Sequence, residues 1–368
     1  MTESRAAEPA RFRSEFSEQL DDFLGSQERL LADIAPEAVE LVDAIRALAS
    51  GGKRMRASLC YWGWRGAGGD ADTLPLIVRA GVALELFQSA ALIHDDIIDG
   101  SDRRRGAPSV HRRFEQEHRR QRWALDPERF GEAAAILVGD LCLSFSEQVF
   151  ASIRPPAFTV GSREAALARE IFDTMRREVM AGQYLDIFEE VAGASREREA
   201  AADRARIIIR YKSAKYSVER PLGLGGALGG GSTGLLDGYS RFGLPLGEAF
   251  QLRDDLLGVF GDPEQTGKPA GDDLREGKRT VLIGYALQSA SAAEADRLQE
   301  SLGDPELNAA QIDQLREIIT STGAVAATER LIAECADQAL SALSSLDIDE
   351  ISRQALSGIA RAAVQRTS

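Results

Sequence analysis

The stretch Leu92-Ile93-His94-Asp95-Asp96-Ile97-Ile98-Asp99 ends an apolar run that begins at Leu74 and carries no charge before the aspartates except Arg79 and Glu85. Such a run reads as a buried helix. A buried helix that ends in three carboxylates needs something to meet their charge. Asp95 and Asp99 are four residues apart, so they share a helix face. Two carboxylates on one face suit Mg²⁺, which takes one or two protein carboxylates and completes its octahedron with water and substrate phosphate. A solvated helix end carries acidic runs too, so the rest of the chain has to decide. The run is nearly long enough to span a bilayer, but its two charges interrupt it and the aspartates close it, which makes it a core helix.

Outward from this stretch, the chain offers no linker. Its 368 residues, 44% of them hydrophobic, can bury a large core. Residues 1–11 read as a flexible tail and 12–368 as one domain. With 44 basic and 58 acidic residues the net charge is −14. That balance argues against nucleic-acid binding and is compatible with divalent cations. Cys60, Cys142 and Cys335 stand at no metal-ligand spacing and are expected to be reduced core residues of a cytoplasmic protein. The opening MTESRAAEPARFR lacks the apolar segment of a signal peptide.

Apolar residues at three- and four-residue steps predict a helix over 12–34. Pro36 opens the next, Ser50-Gly51-Gly52 stops it, and another covers 53–64. Residues 100–108 read as a charged loop and 115–130 as a polar surface insertion. Further helices are predicted over 133–153, 163–190, 203–219 (stopped by Pro221), 239–260 and 280–301. The Ala-rich C-terminus completes them, with Asp347 or Asp349 capping its last helix. Residues 223–234 hold seven glycines. No strand precedes them and no G-K-[ST] follows, so close packing and a chain reversal are expected there rather than a phosphate loop. No β alternation stands out. The fold class is all-α, a large helical bundle of roughly ten helices or more, with its active-site cavity between helices.

Four charged clusters fall at predicted helix ends: Gly51-Gly52-Lys53-Arg54-Met55-Arg56; the 95–99 aspartates followed by Arg103-Arg104-Arg105-Gly106; Lys212-Ser213 with Lys215; and Gln251-Leu252-Arg253-Asp254-Asp255 followed by Lys268 and Lys278-Arg279. Each alone is what a solvated face looks like. Together, two acidic pairs end two apolar helices and each is trailed by cations. A diphosphate bound through Mg²⁺ needs this combination, carboxylates for the metal and basic forks for the remaining oxygens. The matching chemistry is ionisation of an allylic diphosphate, driven by neutralising the leaving group without a protein nucleophile. No Ser-His-Asp or Cys-His arrangement competes with it. His94 is expected to pack or hydrogen-bond beside the metal site, and His111 and His118 to face solvent.

In these motifs the chain resembles the trans-isoprenyl diphosphate synthase (polyprenyl synthetase) family from about residue 14 onward. The motifs are G-G-K-R-M-R, D-D-I-I-D with R-R-G, Y-K-S, and F-Q-L-R-D-D-L-L-G-V-F-G-D with G-K-P. The resemblance is greatest to a bacterial geranylgeranyl diphosphate synthase. It implies an all-α isoprenoid synthase fold, usually a homodimer, with several Mg²⁺ ions, condensing an allylic diphosphate head-to-tail with isopentenyl diphosphate. It implies Mg²⁺ on Asp95, Asp99 and Asp254, with Asp96 and Asp255 orienting them. Isopentenyl diphosphate would fall to Lys53, Arg56, Gln88 and Arg105. The allylic diphosphate would fall to Arg104, Lys212, Ser213, Gln251, Lys268 and Lys278. The released pyrophosphate would take the final proton. Three departures stand out: Gly258 where many members have the last aspartate of the second motif, Gln88 for a histidine, and Ser213 for a threonine.

At about 100° per residue, Gln88, Ala91 and Leu84 lie within about 40° of Asp95, and Phe87 about 80° round. The growing chain is expected to run along this face. The family's blocking positions, four and five before the first aspartate, are here the small Ala91 and Ala90, and Phe87 one turn deeper is the candidate floor. A twenty-carbon product is the expectation, with longer chains as the main competitor. A terpene cyclase would share the ionisation but not the second cation group of Lys53, Arg56 and Arg105, and its own second motif is absent from 254–262. A non-catalytic synthase subunit would have no need of both aspartate pairs. The apolar product also raises the prospect of peripheral membrane contact.

Overall fold

Phe12, Phe16, Leu20 and Leu24, at four-residue steps, form the buried stripe of α1 (Thr2–Ala32). The computed structural model describes residues 2–153, 163–261 and 271–364. α1 begins at Thr2, so residues expected as a flexible tail are helical, and Pro9 lies inside the helix. The stretch from Glu3 to Arg11 is rich in Ala, Glu and Arg, and these helix formers outweigh the proline. The chain divides into two compact units, Met1–Tyr61 with Gly69–Ser162, and Trp62–Gly68 with Arg163–Ser368.

In the first unit follow α2 (Val39–Ala49), the first turns of α3 (Met55–Gly66), α4 (Leu74–Ile98), α5 (Val110–Gln121) and α6 (Pro127–Ala151). α4 and α6 are both long and apolar enough to cross a membrane, but the apolar window of α4 is 83% buried. α1, α2, α5 and α6 cover it, and Ser146 Oγ on α6 donates to the Ala83 carbonyl at 2.7 Å. It is a core helix. Between α4 and α5 the expected loop is a small antiparallel hairpin pairing Arg103–Arg104 with Ala107–Pro108.

The residues expected as a polar insertion form α5 and the start of α6 instead. His111 and His118 are buried, not solvent-facing. His118 packs among Trp123 and Phe130 and its Nε2 lies 2.9 Å from the Ala124 carbonyl, while His111 Nδ1 lies 3.3 Å from Ser109 Oγ. The many arginines of this stretch hide an amphipathic helix whose inner face is Val110, His111, Phe114 and His118.

The second unit contains α7 (Arg163–Ala192), α8 (Ala201–Ile208), a π-helix (Ile209–Glu219), α9 (Arg220–Leu228) and α10 (Thr233–Phe260). It continues through α11 (Asp272–Arg275), α12 (Val281–Ser289), α13 (Ala292–Ser301), α14 (Ala309–Ser321), α15 (Ala324–Ser344) and α16 (Glu350–Val364). Pro221 does not stop a helix. It sits in the first turn of α9, where its missing N–H costs nothing. The glycine-rich stretch supplies close packing, as expected. A Cβ at Gly226 would meet Leu236 and Tyr239, and one at Gly229 the Trp64 carbonyl. Capping boxes at Ser291–Glu294 and Asn308–Gln311 start α13 and α14, and Asp349 Oδ1 accepts from the Ile351 and Ser352 N–H groups at the start of α16. The core joins Leu252, Leu256 and Val259 of α10 to Leu282 and Ile283 of α12, Ile312 and Leu315 of α14, and Ile332 of α15.

Two outcomes follow from this packing. A Cβ at Gly63 would lie 2.1 Å from the Leu222 carbonyl oxygen, whereas one at the exposed helical Gly358 meets nothing within 4 Å. Gly63→Ala should therefore destabilise by about 2 kcal/mol or more, and Gly358→Ala should stabilise by about 0.5–1 kcal/mol, both read by denaturant unfolding. Burial, then Arg112, hold the His111 imidazole below its ordinary pKa against Asp102, Glu132 and Glu115. The stability it contributes is present above the unfolded value of about 6.5 and is lost as pH falls from there through the lower folded value. His111→Gln should flatten the decline in Tm between pH 7 and 5, and an unchanged slope would refute this assignment.

Candidate active site

In the first unit, Asp95, Asp96 and Asp99 occupy the last turn of α4. Asp99 is its C-cap, donating its N–H to the Asp95 carbonyl at 2.8 Å. Asp95 and Asp99 are half-buried, whereas Asp96 is 1% exposed. Arg104 meets the buried charge: its Nε donates to Asp96 Oδ1 at 2.7 Å and its Nη2 reaches Asp95 Oδ2 at 3.3 Å. Burial works against the charge on Arg104. The hydrogen bond to Asp96 and the charges of Asp96, Asp95 and Asp99 outweigh it and raise its pKa.

The hairpin explains how neighbouring arginines reach different places. Its turn residues, Arg105 (φ 53°) and Gly106 (φ 80°), both have positive φ, the signature of a type I′ turn. Arg104 faces the aspartates. Arg105 reaches back to the turn after α2, donating through Nη1 to the carbonyls of Leu48 and Gly51, both at 2.6 Å, with Nη2 3.6 Å from Glu85 Oε1. A Cβ at Gly52 (φ 98°) would lie 2.7 Å from Arg105 Nη2. Gly51-Gly52 is thus the seat of Arg105, and Lys53 and Arg56 lie just beyond it, Lys53 exposed and Arg56 half-buried. Arg54 (φ 49°) turns away to donate to Ser17 Oγ at 2.9 Å and to stack over Phe16.

Further back on α4, Gln88, Phe87 and Ala90 are buried and Ala91 is half-buried. His94 packs on α6, as expected. Its Nε2 lies 3.8 Å from Asp140 Oδ1, and a Cβ at Gly139 would strike it.

In the second unit, Glu178, Gly182 and Asp186 recur at four-residue steps along α7 and face the π-helix. Lys212 Nζ meets Asp186 Oδ2 at 2.5 Å, and Lys215 Nζ meets Glu178 Oε1 at 2.9 Å. A Cβ at Gly182 would lie 2.4 Å from the Lys212 backbone nitrogen. The opposite flank of the π-helix is equally tight: Gly243 and Gly247 of α10 abut the backbones of Glu219 and Ala214. The half-buried Ser213 lies within the π-helix. One turn beyond Gly247, Gln251 Nε2 donates to Asp255 Oδ1 at 2.9 Å. Asp255 is buried and its Oδ2 has no hydrogen-bond partner. Burial, with Asp273, Asp254 and Asp186 adding to it, pushes its pKa up to about 8 against the Gln251 hydrogen bond. Lys278 pairs with Glu276 and stands 3.8 Å from Asp273 Oδ1. Lys268 lies outside the described residues.

The structure therefore gathers Asp95, Asp96, Asp99 and Arg104 in one group, seats Arg105 beside Lys53 and Arg56, and gathers Lys212, Gln251, Asp254 and Asp255 in the second unit. The sequence reading does not single out Asp186 or Asp273. Asp186 carries a signal, since Glu178-x₃-Gly182-x₃-Asp186 marks one close-packed helix face; Asp273 carries none. Among the described residues, no three carboxylate, imidazole or thiol groups come close enough to hold a metal unaided. The oxygen-only donors, with a buried unpartnered oxygen on Asp255, suit a hard cation whose remaining ligands are water and phosphate.

Comparison with known proteins agrees. Residues 39–319 match the family model described as polyprenyl synthetase. The chain is 32% identical over 357 residues to the short chain isoprenyl diphosphate synthase of Methanothermobacter thermautotrophicus, covering 95% of this chain and 96% of that one. It is 28% identical over 319 residues to the octaprenyl diphosphate synthase of Escherichia coli, covering 87% of each. A crystal structure of geranylgeranyl pyrophosphate synthase from Corynebacterium glutamicum, complexed with isoprenyl diphosphate and magnesium, superimposes with a TM-score of 0.88 at 38% identity, over 97% of this chain and 99% of that one. The all-α architecture, the two aspartate pairs and these matches place the chain in the polyprenyl synthetase family, the metal-dependent trans-prenyltransferases that join isopentenyl and allylic diphosphates.

Proposed function

We propose that this chain condenses an allylic diphosphate head-to-tail with isopentenyl diphosphate and releases geranylgeranyl diphosphate. The observation that carries the reading is the division of labour between two adjacent arginines. Arg104 sits with the aspartates, while Arg105 is anchored on the 48–52 turn next to Lys53 and Arg56. Two separate cation groups suit two diphosphates, whereas a cyclase needs only one.

Asp95 and Asp99 in the first unit and Asp254 in the second would hold Mg²⁺, with Asp96 and Asp255 behind them. Bound Mg²⁺ would neutralise the leaving diphosphate. Arg104, Lys212, Gln251, Lys268 and Lys278 steady the allylic diphosphate, with Ser213 offering its hydroxyl. Lys53, Arg56, Arg105 and Gln88 hold isopentenyl diphosphate with its double bond towards the allylic carbon. The allylic C–O bond breaks with its electrons leaving on the diphosphate, the double bond supplies the new C–C bond, and the released diphosphate takes the proton that restores unsaturation.

The relatives include both short-chain and octaprenyl synthases, so product length rests on this chain's own residues. Along α4, Asp99, Asp95 and Ala91 are half-buried, whereas Gln88, Phe87 and Leu84 behind them are buried, Phe87 to 2% exposure. That gradient supports a wall open at Ala91 and closed by Phe87.

Purified protein with Mg²⁺, isopentenyl diphosphate and each allylic primer should release a C20 diphosphate, detected by chromatography. Asp95→Asn and Asp254→Asn should each lower kcat by about a hundredfold or more. Absence of turnover with every primer would overturn the assignment, and a hydrocarbon released from allylic diphosphate alone would favour a cyclase. In the same assay Phe87→Ala should lengthen the product and Ala91→Phe should shorten it; unchanged length in both would remove α4 as the measuring wall.

A further inference from the structure

Gly258 interrupts the second acidic motif, and the space its missing side chain leaves is filled. A Cβ at Gly258 would lie 1.9 Å from Asp273 Oδ2, 2.3 Å from its Cγ and 2.8 Å from Oδ1. The Asp273 carboxylate thus sits within the volume that any side chain at position 258 would occupy. It arrives from α11, on a backbone turned by Gly271 (φ 73°) and fixed by the Lys278 N–H donating to the Asp273 carbonyl at 3.0 Å. The Asp273 side chain is 13% exposed, and Lys278 Nζ lies 3.8 Å from its Oδ1.

Gly258 follows Asp254 by one turn of α10, so the Asp273 carboxylate, lying where a side chain at 258 would begin, is on the same helix face as Asp254. Next to Asp254 in the chain, the buried Asp255 carries an Oδ2 with no hydrogen-bond partner. Carboxylates on one helix face repel one another unless a cation lies between them. We propose that Asp273 supplies the third carboxylate of the second acidic motif in place of a side chain at 258, positioning the hydrated divalent cation held by Asp254. The motif is then complete in space though broken in sequence. Gly258 is the matching half of the arrangement, because any larger residue there would displace Asp273. The inference rests on the prenyl-transfer reading above.

The test follows Mg²⁺-dependent binding of an allylic thiodiphosphate, which resists ionisation, to the full-length protein by calorimetry, with thermal unfolding of each variant in parallel. Asp273→Asn, nearly isosteric, should raise the Mg²⁺ concentration needed for binding by about 10- to 100-fold, without lowering Tm in the absence of metal. Gly258→Asp alone should lower Tm and weaken Mg²⁺-dependent binding, because two side chains claim one volume. The double variant Gly258→Asp/Asp273→Gly should recover the parent's Mg²⁺ requirement. An Asp273→Asn protein with the parent's Mg²⁺ dependence would overturn the proposal, as would a folded double variant that binds no better than Asp273→Gly. If the parent itself binds no thiodiphosphate with Mg²⁺, the prenyl-transfer reading falls too; if it binds and only the variants disagree, that reading stands without this inference.

Discussion

A carboxylate buried at the end of an apolar helix must be met by a positive charge or keep its proton. This constraint organises both units, and each meets it differently. In the first, Asp96 is almost wholly buried and is bound by the guanidinium of Arg104, delivered by a hairpin eight residues downstream. In the second, Asp255 has an amide partner in Gln251 and three acidic neighbours, and burial drives its carboxyl towards the neutral form. The proposed diphosphate site would have to hold unlike charges ready without letting them collapse, and buried aspartates behind half-buried ones suit that need. The inner residue fixes the helix end, and the outer one remains accessible to ligand.

The close approaches that deliver these groups are made by backbone. Lys212 reaches Asp186 because Gly182 lets the π-helix lie against α7, and Gly243 and Gly247 do the same on the α10 side. A π-helix is uncommon and is found where function re-aims side chains. Here it carries Lys212, Ser213 and Lys215 on one segment held between two glycine faces. Arg105 likewise depends on Gly52, whose positive φ and missing Cβ let the guanidinium settle against the chain. The strain of Arg105 itself, a non-glycine residue at φ 53°, is stored where two arginines must diverge.

The helical class was legible because apolar periodicity is a local property. Phe12 to Leu24 and the long run before Asp95 could be placed from spacing alone, and the acidic and basic motifs could be grouped by chemistry. What was not legible depends on long-range contact. The charges of 115–130 made that stretch read as a polar insertion and His111 and His118 as solvent-facing, because charge on one face of α5 masked the burial of its other face. Pro221 read as a stop, because nothing in its own neighbourhood announces that the π-helix passes directly into α9. The hairpin carries no β alternation in its two-residue strands, so its divergent arginines were only a basic run in sequence. Asp273 lies fifteen positions from Gly258, and only tertiary structure brings its carboxylate into the space of the missing side chain.

The arginine at position 104 also shows how the first aspartate group can be neutralised and still leave donors for the proposed ligand. Its Nε and Nη2 form the edge turned to Asp96 and Asp95. A guanidinium has five N–H donors in a fixed plane, so the edge bearing Nη1 can address phosphate while the first edge keeps its carboxylates. A lysine ammonium would have to choose, since its three donors share one point charge. In the proposed reaction the planar fork would couple the buried Asp96 to a diphosphate without unpairing either. The pairing with Arg104 lets an apolar helix end in three aspartates with the middle one buried.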